Sequence, residues 1–452
     1  MGSTSTRHPA QFLTITMLWF YVLVTVAPVF GASGPSKRAQ RPQMGTCKPH
    51  PSLRVRDFTD LRARWNSWNT FKLGINQTIV EGTAQALLDT GLRDAGYTYL
   101  VMDDGWQNLT RGPDGRQQAN ATRFPSGLKV LADEVHEKGL KFGLYSDAGI
   151  FGCGFQPGSL GYEELDAQTY ADWGMDYLKY DNCGGFYGNI RPVQERFQIM
   201  SHALKNTGGD IFYAVCQWGH QWPWYWADQF TDSYRMSGDI HAKFRDDGNS
   251  VCKTAYCLNT GYAGVSVLTM IRKMREISGF QKKGSWADMD MLEVGVNRNF
   301  TLHQDQTHQS FWATLKSPLI IGADITTIRK SSLDVLLNKE IISINQDDLG
   351  IAASYIPELS TEDEIQVWAG PVKYKKYNHV VLALNYNKVN HTTDIELSWS
   401  KLPGFQGCKN GNVRVRDVWE NKDLGSQKES VSLQEVAQDQ TKVLLLSCKE
   451  KK

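Results

Sequence analysis

Tyr177-Leu178-Lys179-Tyr180-Asp181-Asn182-Cys183 is the stretch on which the reading of this chain turns. An apolar run stops at a lysine, a tyrosine and a carboxylate, and Gly184 and Gly185 follow. A buried parallel strand ends this way when its last side chains emerge into a site and the chain turns back. Taken alone, the same residues suit a strand capped by a solvated aspartate equally well. The rest of the chain weighs against that reading, because the pattern recurs.

Upstream, strand 97–102 runs into Asp103-Asp104-Gly105-Trp106, and strand 141–145 delivers Ser146-Asp147. Downstream, strand 210–215 delivers Cys216-Gln217-Trp218-Gly219, and segment 233–239 ends in Asp239. Segments 285–292 and 318–324 carry Asp288, Asp290 and Asp324. Helical patterns at 79–93, 127–138, 160–173 and 193–205 fall between the strands, with Gly96, Gly139 and Gly174 closing the first three. Strands alternating with helices imply parallel βαβ units. With Trp65-Asn66 as the first strand, the series predicts an α/β fold, a (β/α)₈ barrel over 65–348, whose strand ends converge on one face. A doubly wound open sheet would also alternate, but its ligand meets only a few strand ends. Beyond Gly350 the helix signal stops. Short strands at 364–368, 379–386, 393–397, 413–419 and 442–446 predict a C-terminal antiparallel β-sandwich over 349–452, with an accessory role.

The bulk composition excludes some functions and points to others. The net charge of +1 leaves no electrostatic footprint for nucleic acid. Arg7 and His8 precede an apolar stretch at 12–30 that exits through Gly31-Ala32-Ser33-Gly34, so residues 1–33 read as a secretory signal peptide. That stretch would also just span a bilayer as a signal anchor. Cleavage would leave a secreted protein with no membrane attachment. Sequons at Asn76, Asn108, Asn120, Asn299 and Asn390 and eight cysteines suit an oxidising compartment. Cys252 with Cys257 and Cys408 with Cys448 are close enough in sequence to propose as bridges. No zinc-like Cys/His spacing and no phosphate loop occurs, so neither metal nor cofactor is expected. Nothing in the sequence fixes an oligomeric state, and a homo-oligomer stays open.

The barrel reading gathers Asp103, Asp104, Asp147, Asp181, Asp239, Asp288 and Asp290 around one mouth. Tyr145, Lys179, Arg235, Trp65, Trp68, Trp106 and Trp218 join them. Carboxylates accept hydrogen bonds from hydroxyls and indoles stack on sugar rings, so the set suits a carbohydrate. Glycoside hydrolysis in its usual form needs two carboxylates. A Mg²⁺ or Ca²⁺ site is the other use for clustered acids, and the lysine and arginine among them argue against it.

Seven motifs, Trp65-Asn66-Ser67-Trp68-Asn69, Asp103–Trp106, Tyr145–Gly149, Lys179–Cys183, Cys216–Gly219, Arg235–Asp239 and Trp286–Leu292, resemble glycoside hydrolase family 27. That family comprises α-galactosidases and α-N-acetylgalactosaminidases, and the likeness is to the secreted fungal and plant α-galactosidases (melibiases). The resemblance implies an exo-glycosidase that removes terminal α-D-galactosyl residues with retention, through a covalent intermediate. It makes Asp181 the nucleophile and Asp239 the acid/base, their carboxyls roughly 5–5.5 Å apart. It gives Asp103 and Asp104 to the 4- and 6-hydroxyls, Lys179 to the 3- and 4-hydroxyls, and Trp68 to the pocket wall. It implies a Cys153–Cys183 disulfide at the rim. Tyr145, Gln217, Trp218 and Arg235 complete the substrate-binding set, and the bulk of Gln217 and Trp218 favours a 2-hydroxyl over a 2-acetamido group. Many relatives carry Glu where Gln217 stands. An acetamido-specific enzyme and a non-catalytic galactose-binding barrel are the alternatives.

The chain departs from the family at one point. The family normally has Met-Gly directly before the first Trp, whereas here residues 46–64 separate Met44-Gly45 from Trp65. The segment 34–64 is rich in Pro and Arg and lacks periodicity. A retained in-frame intron or a wrong splice choice would produce such an insertion, and it would make Cys47 spurious and leave Cys216 unpaired.

Overall fold

The computed structural model describes residues 61, 63–186, 191–246, 264–389, 391–403 and 412–448. The signal peptide, Cys47, Cys252, Cys257, Cys408 and the Asn390 sequon lie outside them. Eight strands run β1 (Ala63–Asn66), β2 (Tyr97–Val101), β3 (Lys141–Asp147), β4 (Tyr177–Asp181), β5 (Phe212–Val215), β6 (Ser233–Arg235), β7 (Trp286–Asp288) and β8 (Ile320–Ile321). They form one parallel sheet in the order β7-β6-β5-β4-β3-β2-β1-β8. Leu292, just past β7, closes the ring. Its N–H donates to Ile320 O at 2.6 Å, and its carbonyl accepts from Gly322 N at 3.2 Å. The (β/α)₈ architecture is therefore as expected.

Helices α1 (Gln77–Asp89), α2 (Leu128–Glu137), α3 (Glu163–Asp172), α4 (Val193–Asn206), α5 (Val267–Ile277) and α6 (Leu302–Thr314) lie between strands. Only two short 3₁₀ turns, Pro223–Tyr225 and Ala227–Gln229, stand between β5 and β6. The Asn76 side chain accepts from Ile79 N and caps α1, which satisfies an orphan donor. Outward strand residues such as Leu178 and Tyr180 pack with the helices in the main core. Inward residues fill the barrel in a layer of Tyr99, Val101, Tyr177, Phe212 and Ala214.

The first strand begins two residues before the expected barrel start at Trp65. Arg64 lies in β1, wholly buried, with its N–H donating to Leu319 O. Its guanidinium stacks 4.2 Å from the Phe212 ring centroid and 5.1 Å from that of Tyr177. None of its three guanidinium nitrogens has a hydrogen-bond partner among the described residues. A buried charge without hydrogen bonds costs several kcal/mol, and aromatic faces return only ~2 kcal/mol of that.

After α7 (Lys330–Leu336) and α8 (Lys339–Asn345), the chain is antiparallel. Six strands, among them β9 (Ser354–Tyr355), β10 (Ile365–Tyr374) and β11 (Tyr377–Asn385), form one sheet, and two more form a second. Val367, Val381, Ile395, Leu397 and Val431 fill the space between these sheets. Period-two alternation sends Trp368, Val380, Leu382 and Leu384 to the other face, where they join the barrel's core. Trp419 Nε1 donates to Ser310 Oγ of α6 at 2.9 Å. Among the described residues no helix is long and apolar enough to cross a membrane.

Candidate active site

The carboxyl ends of β2, β3, β4, β6 and β7 bring the acids together. In the parallel register Lys179 lies beside Tyr145, and Asp181 beside Asp147. Alternation points Tyr177, Lys179 and Asp181 inward from one strand, so a single five-residue element supplies both a cation and a carboxylate.

Asp103 and Asp104 are almost wholly buried. Lys179 Nζ donates to Asp103 Oδ2 at 2.7 Å, and Asn66 Nδ2 donates to the same oxygen at 2.9 Å. Gly154 N donates to Asp104 Oδ2 at 2.6 Å. Burial pushes Asp104 up to about 6; the Gly154 N–H opposes the rise and the Asp103 charge adds to it. The two acids are thus held rigidly and aimed by the backbone, as a hydroxyl-gripping pair must be.

Asp181 is 4 % exposed, and its Oδ1 accepts from Asn182 N at 2.9 Å. Burial pushes its carboxyl well above the ordinary range. Lys179 opposes that, while Asp147 and Asp239 reinforce it. Asp147 takes three backbone N–H groups, Gly149 at 2.7 Å, Cys183 at 2.6 Å and Gly184 at 3.1 Å. Its carboxylate approaches that of Asp181 to within 4.8 Å. Burial pushes it up to about 7 against those three donors, with Asp104 adding to the rise.

Asp239 is partly open to solvent and pairs with Arg235 Nη2 at 3.0 Å, while the same nitrogen meets Asp290 at 2.8 Å. Burial raises the Asp239 carboxyl, but Arg235 and Lys179 more than offset this and leave it below its ordinary range. Arg235 faces Asp239 and Asp290, and Lys179 is the cation that acts on Asp181.

Gln217 is buried, and its Oε1 has no hydrogen-bond partner among the described residues. It is an unmet acceptor at the end of β5, ready for a hydroxyl. Trp218 follows at φ 52°, a left-handed conformation that is costly for a tryptophan. Trp68 is half-buried, and Lys72 Nζ sits 5.0 Å from its ring. Tyr145 and Cys153 meet at 3.2 Å, and Cys153 is bonded to Cys183. Cys216 is free and buried. Cys448 is in a disulfide whose partner lies outside the described residues.

Two expected members do not face the mouth. Trp65 and Trp106 are wholly buried in the main core, their indole N–H groups donating to Ala323 O and Tyr145 O. Alternation along β1 turns Trp65 to the outer side, between Arg64 and Asn66, and Trp106 lies in the turn beyond β2, outside any strand. Asn66 and Asp290 had no assigned role in the sequence. The first orients Asp103 and the second anchors Arg235, and only their position at strand ends hinted at either.

A profile described as Alpha galactosidase A matches residues 56–347, and one described as Alpha galactosidase C-terminal beta sandwich domain matches 362–446. The chain is 40% identical over 360 residues to Alpha-galactosidase 3 of Arabidopsis thaliana, covering 80% of this chain and 75% of that one. It is 39% identical over 350 residues to an alpha-galactosidase of Lachancea cidri, covering 75% and 73%. The structure of alpha-galactosidase I from Mortierella vinacea superposes with a TM-score of 0.80 at 34% identity, covering 88% of this chain and all of that one. Similarity of this extent, through both the barrel and the sandwich, makes the chain a member of the alpha-galactosidase (melibiase) family, glycoside hydrolase family 27.

Proposed function

We propose that the protein is an α-galactosidase that removes terminal non-reducing α-D-galactosyl residues from oligosaccharides, galactomannans or glycoconjugates by double displacement. The observation that carries this is the rigid Asp103–Lys179–Asp104 array beside Asp181, in a chain of that family. Asp181 Oδ attacks the anomeric carbon as the glycosidic C–O bond breaks, and Asp239 passes its proton to the leaving oxygen. Water then attacks the same carbon, gives its proton to Asp239 and releases Asp181. A 2-hydroxyl donating to Asp181 stabilises its ionised form, and the leaving oxygen gives Asp239 an acceptor. Once the ester forms, the charge on Asp181 is gone and Asp239 gives up its proton more readily, which suits its second role as base.

Asp103, Asp104 and Lys179 bind the 3-, 4- and 6-hydroxyls, Trp68 and Tyr145 wall the pocket, and Gln217, Trp218 and Arg235 close on C2. The bulk of Gln217 and Trp218 at the end of β5 supports a plain hydroxyl there over an acetamido group. The decisive assay compares nitrophenyl α-galactoside with its N-acetylgalactosaminide, following the first-formed sugar by NMR. Faster turnover of the galactoside with α-galactose appearing first is expected. A preference for the acetamido substrate, or β-galactose first, would refute the reading.

The same reading makes the enzyme secreted after removal of residues 1–33 and glycosylated at Asn76, Asn108, Asn120, Asn299 and Asn390. It joins Cys408 to Cys448 and Cys252 to Cys257. It also removes residues 46–64 from the functional chain, so that Gly45 precedes Trp65. The orphaned guanidinium of Arg64 inside the barrel supports that step.

A further inference from the structure

Phe155 is 75% exposed and adopts φ 65°. A bulky side chain in the left-handed region costs roughly 1–2 kcal/mol, and an exposed phenyl ring recovers little of it by burial. Its surroundings are unusually rigid. Gly152 N and Gln156 O pair at 2.8 Å, Phe155 N donates to Gly152 O at 3.0 Å, and Phe151 bridges Pro157. The disulfide ties Cys153 to Cys183, two residues beyond Asp181. The loops after β3 and β4 meet glycine to glycine, since a Cβ on Gly149 would lie 2.0 Å from the Gly184 carbonyl carbon.

This hairpin also touches both ends of the chemistry. Gly154 N holds Asp104 at 2.6 Å, and Cys153 Sγ lies 3.7 Å from Asp181 Oδ2. Phe155 is the next residue along, so its Cα stands within about 8 Å of the Asp104 carboxylate. Its ring rests on that of Phe151 at 5.4 Å between centroids, tilted by 38°, and exposed Ile150 continues the apolar strip. An aromatic face carried on a tethered backbone beside a sugar pocket is suited to stacking on a pyranose C–H face.

We infer that Phe155, backed by Phe151, is the platform of an aglycone subsite that stacks the sugar ring attached to the galactosyl group. The inference rests on the α-galactosidase reading. The subsite acts only on substrates that have a second ring, and it raises kcat/KM for those substrates relative to substrates without one.

The test measures kcat/KM for melibiose and for α-galactosyl fluoride, which has no second ring, on the full-length enzyme and its Phe155→Ala and Phe155→Trp variants. The quantity read is the melibiose-to-fluoride ratio, which does not depend on the fraction of folded enzyme. A fivefold to tenfold lower ratio in Phe155→Ala, restored in Phe155→Trp, is the expected result; about one stacking contact corresponds to that factor. An unchanged ratio in Phe155→Ala would overturn the subsite while leaving the hydrolase reading intact. Wild-type enzyme inert on both substrates, both with and without residues 46–64, would overturn the hydrolase reading and the subsite with it.

Discussion

Lys179 and Asp147 act on Asp181 from opposite sides. Lys179 favours the charged form of Asp181, the proposed nucleophile, whereas Asp147 and burial favour the protonated form. Asp181→Asn removes the nucleophile but keeps its shape and its acceptor for Asn182 N. Turnover of nitrophenyl α-galactoside should fall on the order of 10³-fold or more with an unchanged circular dichroism spectrum. Substantial residual activity would remove Asp181 from its role. Asp147→Asn tests the second influence. The nucleophile works only when ionised, so activity is lost as pH falls through its pKa. The Asp147 charge raises that pKa, and deleting the charge lowers it. The acid limb of kcat/KM should therefore move to lower pH, while kcat drops as the three-donor tether loosens. A limb that stays put or moves to higher pH would contradict the coupling. Asp181 and Asp239 stood out in the sequence because the first closes a strand and the second follows one by four residues. The contact of Arg235 with Asp290 did not, since Asp290 lies just past β7 and meets Arg235 only when β6 and β7 pair in parallel.

Strand β1 is the element where sequence and packing disagree. Alternation sends Arg64 into the barrel beside Phe212 and Tyr177, where a small or apolar residue belongs. Joining Gly45 to Trp65 by deleting residues 46–64 places glycine at that position. The deletion should stabilise the protein by about 2 kcal/mol or more, read as a higher midpoint in thermal or urea unfolding. A lower midpoint would mean that the segment belongs to the folded enzyme, and a mature transcript carrying its codons would say the same. The alternation of strands and helices was plain in the sequence. The replacement of a helix by two 3₁₀ turns between β5 and β6 was not, because Trp222-Pro223-Trp224-Tyr225-Trp226 carries no helical or strand period.

At the scale of the molecule, the sandwich is part of the barrel's core as well as a domain of its own. Trp368, Val380, Leu382, Leu384, Val443 and Leu445 all belong to the main apolar cluster, and the Trp368 ring lies 5.9 Å from that of Phe311 on α6. Six such side chains at ~1.5–3 kcal/mol each amount to as much as the whole net stability of a typical protein. A chain ending at residue 348 should therefore aggregate or elute as a broad, high-mass species in size-exclusion chromatography. A monodisperse, active barrel would show the sandwich to be dispensable.

The sequence by itself determined the succession of strands, the acid at or just beyond most strand ends and the change to antiparallel pairing beyond Gly350. These are local properties, set by periodicity and by the rule that polar side chains enter a buried strand only where it meets a site. Tertiary structure decided which charges face one another, which tryptophans leave the pocket for the core, and that Phe155 stands exposed on a locked hairpin. Those outcomes depend on distances between segments far apart in the chain. Charge interactions scale inversely with separation and strengthen as water is excluded, so they are fixed only once the ring of strands closes. The segment Tyr177–Asp181 was recognisable as a strand ending in a site; its use of Lys179 against Asp103, with Asp147 beside the nucleophile, belongs to the folded barrel.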